Sequence, residues 1–306
     1  MRFNTKARLD TGRIGDAGRS GSRGGGRGGL PIPGGLAAGG GVTGVLLVVV
    51  VIVVSTWLGG GAGSGFDTSR MSDTGRYDHC ESGADANDDA DCARVAVENS
   101  LYDYWSDTLP AQSDTPFEAA QEVVTFTGGI GTGCGQASSA VGPFYCPVDQ
   151  TIYLDTTFFD DVLERQLGGP SGAFVEPYVL AHEYGHHIQN LLGTMGRVKT
   201  QQGPRSDAVR LELQADCYAG MWARGATTTE DADGNVLISQ LTQQDITQAI
   251  DAATAVGDDR IQQQSGGAVD SDSWTHGSSA ERSAWFQRGY QDGTLRACDT
   301  FAAGAL

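Results

Sequence analysis

Ala181-His182-Glu183-Tyr184-Gly185-His186-His187 is the stretch on which the reading of this chain turns. His182 and His186 stand four apart, so on a helix their imidazoles share one face, a turn apart. Two neutral imidazoles so placed bind one Zn2+, and Glu183 then acts as general base on a metal-bound water. The flanks favour a helix. Pro177 suits a first turn, Gly193 suits a C-terminal stop, and Val179, Leu180, Ile188, Leu191 and Leu192 supply apolar faces. Gly185 weakens that helix by roughly 1 kcal/mol against Ala. Five His and ten Glu shuffled over 306 residues give the His-Glu-x-x-His pattern about 0.003 times, so composition does not explain it. The competing structural reading is a helix with two partly exposed histidines.

A zinc site of this type needs a third protein ligand and an open fourth position. Arg210-Leu211-Glu212-Leu213-Gln214-Ala215-Asp216 supplies one. Glu212 and Asp216 are again four apart on one helical face. Glu212 is assigned as the third ligand, and Asp216 as acceptor of the far N–H of one histidine, which fixes its tautomer. Leu211, Leu213, Ala215, Cys217, Tyr218, Met221 and Trp222 predict a largely buried helix. Two buried carboxylates there without a cation partner are expensive, which argues against a merely solvated acidic face.

These residues carry a resemblance. His182-Glu183-x-x-His186 followed by Glu212-x-x-x-Asp216 resembles the zincin metallopeptidases with a glutamate third ligand, and more closely the bacterial "putative neutral zinc metallopeptidase" family. Four further stretches match that family: Cys80 to Asn87, Gly142 to Pro147, Leu180 to Gln189, and Thr275 to Ser279 running into Arg282 and Trp285. The resemblance covers Asp67 to the C-terminus. It implies a zincin-like peptidase domain in which an antiparallel edge strand beside the metal receives an extended substrate, and 143–154 is the candidate edge. It also tips His276, which stands at a helix entry, towards donating to the oxyanion of an attacked peptide carbonyl rather than merely capping. Tyr184 and Tyr218 are weaker candidates for that role. His187 points about 100° away from His186 and does not share the metal; His79 reads as structural.

Charge is unevenly spread. The net is −18, but residues 1–29 carry +5 and the remainder −23. A body this acidic repels phosphates, so nucleic acid is excluded as a partner. Residues 1–35 are Gly- and Arg-rich and read as a disordered basic cytoplasmic tail. Leu36 to Leu58 is uncharged, and its 23 residues span about 35 Å as a helix, enough for one membrane anchor. Basic residues before it and acidic ones after it predict a cytoplasmic N-terminus and an exported body. A cleaved signal peptide is the rival reading. Residues 59–75 form a linker, and 76–306 the domain.

All six cysteines follow the anchor, and an even count in an exported body predicts three disulfides. Fifteen connectivities exist; proximity favours Cys80–Cys92 and Cys134–Cys146, leaving Cys217–Cys298. Helices are expected over 92–105, 156–167 and 242–256, and from the Ser278-Ser279-Ala280-Glu281 capping box. Strands are expected at 123–126, 144–146 and 151–154, and a mobile polar stretch at 262–273.

The expected fold class is α+β: by the resemblance, a zincin-like domain with a small antiparallel sheet and the motif helix, preceded by one transmembrane helix. The function expected from the motif and the resemblance is hydrolysis of peptide or protein substrates, with Zn2+ on His182, His186 and Glu212. The alternative is a silent, zinc-stabilised envelope scaffold, which has no need of Glu183.

Overall fold

The computed structural model describes residues 1–19, 73–138 and 141–306. The chain opens with strands β1 (Arg2–Phe3) and β2 (Ile14–Arg19), followed by helices α1 (Gly83–Asp88) and α2 (Ala90–Gln112). Asp89 starts α2 by accepting from the backbone N–H groups of Asp91 and Cys92. This helix ends two residues beyond Pro110. The proline sits in the last turn, where little further backbone depends on its missing donor.

Strands β3 (Glu122–Thr127), β4 (Gly129–Thr132), β5 (Gly135–Ser138), β6 (Phe144–Cys146) and β7 (Thr151–Asp155) come next. The main sheet has the order β2-β3-β7-β6, and β4 and β5 form a separate hairpin. The small antiparallel sheet expected from sequence is corrected here. β2, β3 and β7 run parallel, and only β6 is antiparallel. The reason is burial: every residue of β7 is buried, and strands covered on both faces favour the parallel arrangement. Residues 159–164 form a π-helical turn where a regular helix was expected.

The site helices follow. Helix α3 (Val175–Leu191) has Pro177 in its first turn, and Gly193 just beyond it has φ of 71°. Helix α4 (Asp207–Gly225) is buried on nearly all sides, with Ser206 accepting from Val209 N–H at its start. After β8 (Ile238–Gln240) come α5 (Gln243–Ala255), α6 (Asp258–Gln264) and α7 (Ser279–Asp292). The Ser278/Glu281 capping box at the start of α7 is formed. The stretch 262–273 is not wholly irregular, because Gln262 secures it by bonding to Asp270 and Ser273. Disulfides join Cys80 to Cys92, Cys134 to Cys146 and Cys217 to Cys298.

Residues 1–19 correct the expectation of a disordered tail. Phe3, Ala7 and Ile14 are buried in the main core, β1 pairs with β8, and β2 pairs with β3. Arg13 reaches the buried Glu98, and the Met1 amino group lies 2.6 Å from Asp245. Averaging over residues 1–29 hid three apolar side chains at the spacing needed to anchor an arm. The other side of the gap is equally close: Thr74 N–H donates to Asp16 O at 3.0 Å, and Asp16 N–H to Asp73. Residues 1–19 and 73 onward thus belong to one folded unit. The rest of the expected tail, the 36–58 span and most of the linker lie outside the described residues. Among those described, no helix is long and apolar enough to cross a membrane.

Candidate metal centre

Helices α3 and α4 pack closely, and the contact passes through Gly185. A Cβ there would lie 3.1 Å from Ala215 O and 3.2 Å from Ala215 Cα. The glycine between the histidines therefore permits close helix approach, and its propensity cost is secondary. That approach brings three side chains together. His182 Nε2 lies 3.2 Å from Glu212 Oε2, and His186 Nε2 lies 3.5 Å from Glu212 Oε1. Two donors about 2.1 Å from a tetrahedral zinc are about 3.4 Å apart, so this trio has the spacing a zinc ion needs. All three ligand atoms fall within 4.8 Å of one another, on buried or nearly buried residues.

The opposite ring nitrogens are also held. His182 Nδ1 is 2.9 Å from Asp216 Oδ1, and His186 Nδ1 is 2.8 Å from Gln189 Oε1. With the Nδ1 proton held by its acceptor, each ring would turn its Nε2 lone pair towards an ion bound beside Glu212. Asp216 is fully buried and receives two bonds from Arg282, Nε to Oδ2 at 2.8 Å and Nη2 to Oδ1 at 3.0 Å. Tyr178 OH adds a third bond at 2.6 Å. Gln189 is fixed by donating to Leu211 O at 2.7 Å.

The electrostatics follow from this packing. Burial alone disfavours the Asp216 carboxylate, but Arg282 and His182 outweigh it and hold its pKa below the ordinary range. Glu212 is likewise lowered against the cost of burial, by the two histidines. Burial also works against a charged His182, yet Asp216 and Glu212 push its pKa up to about 10. His186 goes the other way, down to about 4, because burial and the neighbouring His182 outweigh the raising effects of Glu212 and of the bond to Gln189. Burial raises Glu183 to about 8, with a backbone bond from Tyr145 on β6 working in the opposite direction. A dication held by His182, His186 and Glu212 would replace the protons that the bare site favours.

His182, Glu183, His186 and Glu212 line a cleft of about 80 Å³ whose apolar wall includes Val141, Pro143, Phe158, Val179 and Val256. His276 and Arg282 line it too. Asp258 Oδ2 accepts from the backbone N–H groups of Thr275, His276 and Gly277, and Oδ1 lies 3.2 Å from His276 Nδ1. Burial opposes a charged His276, but Asp258 and then Glu212 raise its pKa above the ordinary histidine value. Tyr184 and Tyr218 do not line the cleft. Tyr218 packs on Trp105, and Tyr184 has the Glu98–Arg13 pair as its main charged neighbours. His187 turns away, to Tyr145 OH and Glu118 O.

Sequence reasoning missed Asp258 and Gln189, and gave no role to Arg282. Paired acids at the start of α6 and an amide three residues after His186 were the available signals.

Comparison with known proteins bears on the same residues. The family model described as "Putative neutral zinc metallopeptidase" matches residues 1–301. The chain belongs to that family. The match includes residues 1–19, in keeping with their place in the fold. The "Uncharacterized protein Rv2575" of Mycobacterium tuberculosis is 51% identical over 229 residues, 74% of this chain and 76% of that protein. The "Uncharacterized protein YpfJ" of Escherichia coli K12 is 44% identical over 188 residues, 59% of this chain and 61% of its own length. No solved structure matches.

Proposed function

We propose that the protein is a zinc-dependent metallopeptidase with a zincin-like active site, and that His182, His186 and Glu212 hold the ion. The observation that carries this reading is a trio at zinc-ligand spacing with Glu183 next to it in an apolar-walled cleft. Zinc bound there supplies Lewis acidity to a water and to a substrate carbonyl. Glu183, held by Tyr145 N–H, takes the proton of the attacking water and passes it to the leaving amine. His276, held by Asp258, donates to the developing oxyanion. β6 is the sheet edge that packs nearest α3, and an extended peptide adds to it as a further strand.

The test is metal content against cleavage of an unstructured peptide library. Wild type is expected to hold one zinc per chain and to cleave in a chelator-sensitive way. Glu212→Ala is expected to lose metal affinity by at least about tenfold, because removing a ligand costs no less than removing its outer partner. Full zinc retention by that variant overturns the ligand set.

For location, we propose that the whole folded unit is exported and that residues 36–58 contact the membrane. Three disulfides support an oxidising compartment. A single crossing at 36–58 would put residues 1–19 on the far side from β3, so the one-pass topology is replaced by one with both ends of that segment on the body's side. The chain has two lysines, Lys6 and Lys199, both exposed. A membrane-impermeant amine reagent applied to intact cells stripped of their wall is expected to label both. Labelling of Lys199 alone restores the single crossing, and labelling of neither overturns export.

A further inference from the structure

A second cluster of ligand-type side chains lies at the start of α2, away from the peptidase site. Among the described residues, His79, Cys80 and Cys92 are the one other group of His, Cys, Asp or Glu whose ligand atoms fall within 4.8 Å of each other. His79 Nε2 is 3.4 Å from Cys92 Sγ, 3.9 Å from Cys80 Sγ and 3.6 Å from Asp89 Oδ2. Asp89 is fixed in place because its Oδ1 caps α2, bonding to the N–H groups of Asp91 and Cys92. That leaves Oδ2 turned to His79. The two sulfurs are now joined to each other, so the cluster cannot bind a metal as it stands.

We propose that this corner is a redox-gated metal site. Reduction of Cys80–Cys92 exposes a donor set of two thiolates, one imidazole and one carboxylate for zinc or another thiophilic divalent ion. The reductant is a protein dithiol. One of its thiolates attacks one sulfur of the Cys80–Cys92 bond, forming a mixed disulfide and releasing the other cysteine as thiolate; its second thiolate then attacks the donor sulfur of that mixed disulfide and expels the first cysteine. The donor ends as a disulfide, and Cys80 and Cys92 end as thiols that have gained two electrons and two protons. Metal binding displaces the two thiol protons, and the ion sits among two thiolates, His79 Nε2 and Asp89 Oδ2.

The location gives the site a purpose. Residues 80–92 hold the N-terminal arm: Gly83 N–H donates to Ala7 O, Leu9 N–H to Glu81 O, and Phe3 N–H to Asn87 Oδ1. A metal cross-link keeps this segment closed when the disulfide is open, so the arm stays docked in either redox state. The inference does not depend on the peptidase reading.

The experiment uses the full chain, loaded with Co2+ after reduction with a non-chelating phosphine. Sulfur-to-cobalt charge-transfer absorption is expected in the reduced protein and not in the oxidised one. Two histidines and a glutamate cannot produce that band, so it separates this site from the first. Cys80→Ser with Cys92→Ser is expected to abolish it. His79→Ala, and Asp89→Ser (which keeps a capping oxygen), are each expected to weaken the cobalt affinity about tenfold or more. The proposal is overturned if the reduced protein gives no band, if the band survives in the double serine variant, or if both single variants bind cobalt as wild type does.

Discussion

Glu183→Gln is expected to lower peptide turnover by about 10²–10⁴-fold while leaving metal content unchanged. The side chain is buried in the cleft beside the two histidines. Glutamine keeps its volume and can still accept the bond from Tyr145 N–H, so the packing around α3 has no reason to change. It lacks a basic carboxylate, so the water proton has no acceptor and the leaving amine no donor. The folded protein is not expected to suffer. Burial pushes the Glu183 pKa up to about 8, which means the charged form is disfavoured there, and a neutral amide removes that cost. The thermal midpoint of the metal-free variant is therefore expected to match or exceed wild type. His276→Ala makes the useful comparison. It removes an oxyanion donor but leaves the base, and is expected to cost about 10²–10³-fold. Turnover of Glu183→Gln within tenfold of wild type would sink the general-base assignment. Loss of zinc with loss of turnover would mean that Glu183 holds the metal site together.

What the sequence made legible here was periodic. His182 and His186, and Glu212 and Asp216, each repeat at helical spacing, and a buried helix that carries two acids demands partners. Ser278 and Glu281 announce the start of α7 by local chemistry alone. The rest depends on contacts between distant parts of the chain. Arg282 meets Asp216 across 66 positions, and His276 meets Asp258 across 18, with no pattern linking either pair. The N-terminal arm was invisible for a different reason. Its apolar anchors Phe3, Ala7 and Ile14 are few, and a glycine- and arginine-rich run beside them dominates any average. Gly185 was legible as a glycine but misread as a weakness, because propensity is a local quantity and helix approach is not.

The same argument predicts that Gly289→Ala and Gly220→Ala destabilise the fold, against the ordinary sign of such changes. In an exposed helix interior, Gly to Ala stabilises by about 1 kcal/mol. Here α4 and α7 touch backbone to backbone. A Cβ on Gly289 would lie 1.9 Å from Cys217 O, and one on Gly220 would lie 2.1 Å from Phe286 O. No rotamer change relieves a clash with a carbonyl oxygen in the middle of a helix, so the helices must separate. Overpacking of this kind costs about 1–3 kcal/mol, and backbone contacts place these two at the upper end. At about 2–4 °C per kcal/mol for a unit of this size, each is expected to lower the thermal midpoint by about 6–12 °C. Separation also draws Arg282 on α7 away from Asp216 on α4, loosening the group that orients His182. Zinc affinity is therefore expected to fall with stability, although neither glycine touches the site. The two clashes are relieved by one movement, so the double variant is expected to cost less than the sum of the singles. A midpoint at or above wild type for either variant, or strict additivity of the pair, would show that the two helices do not meet through these glycines.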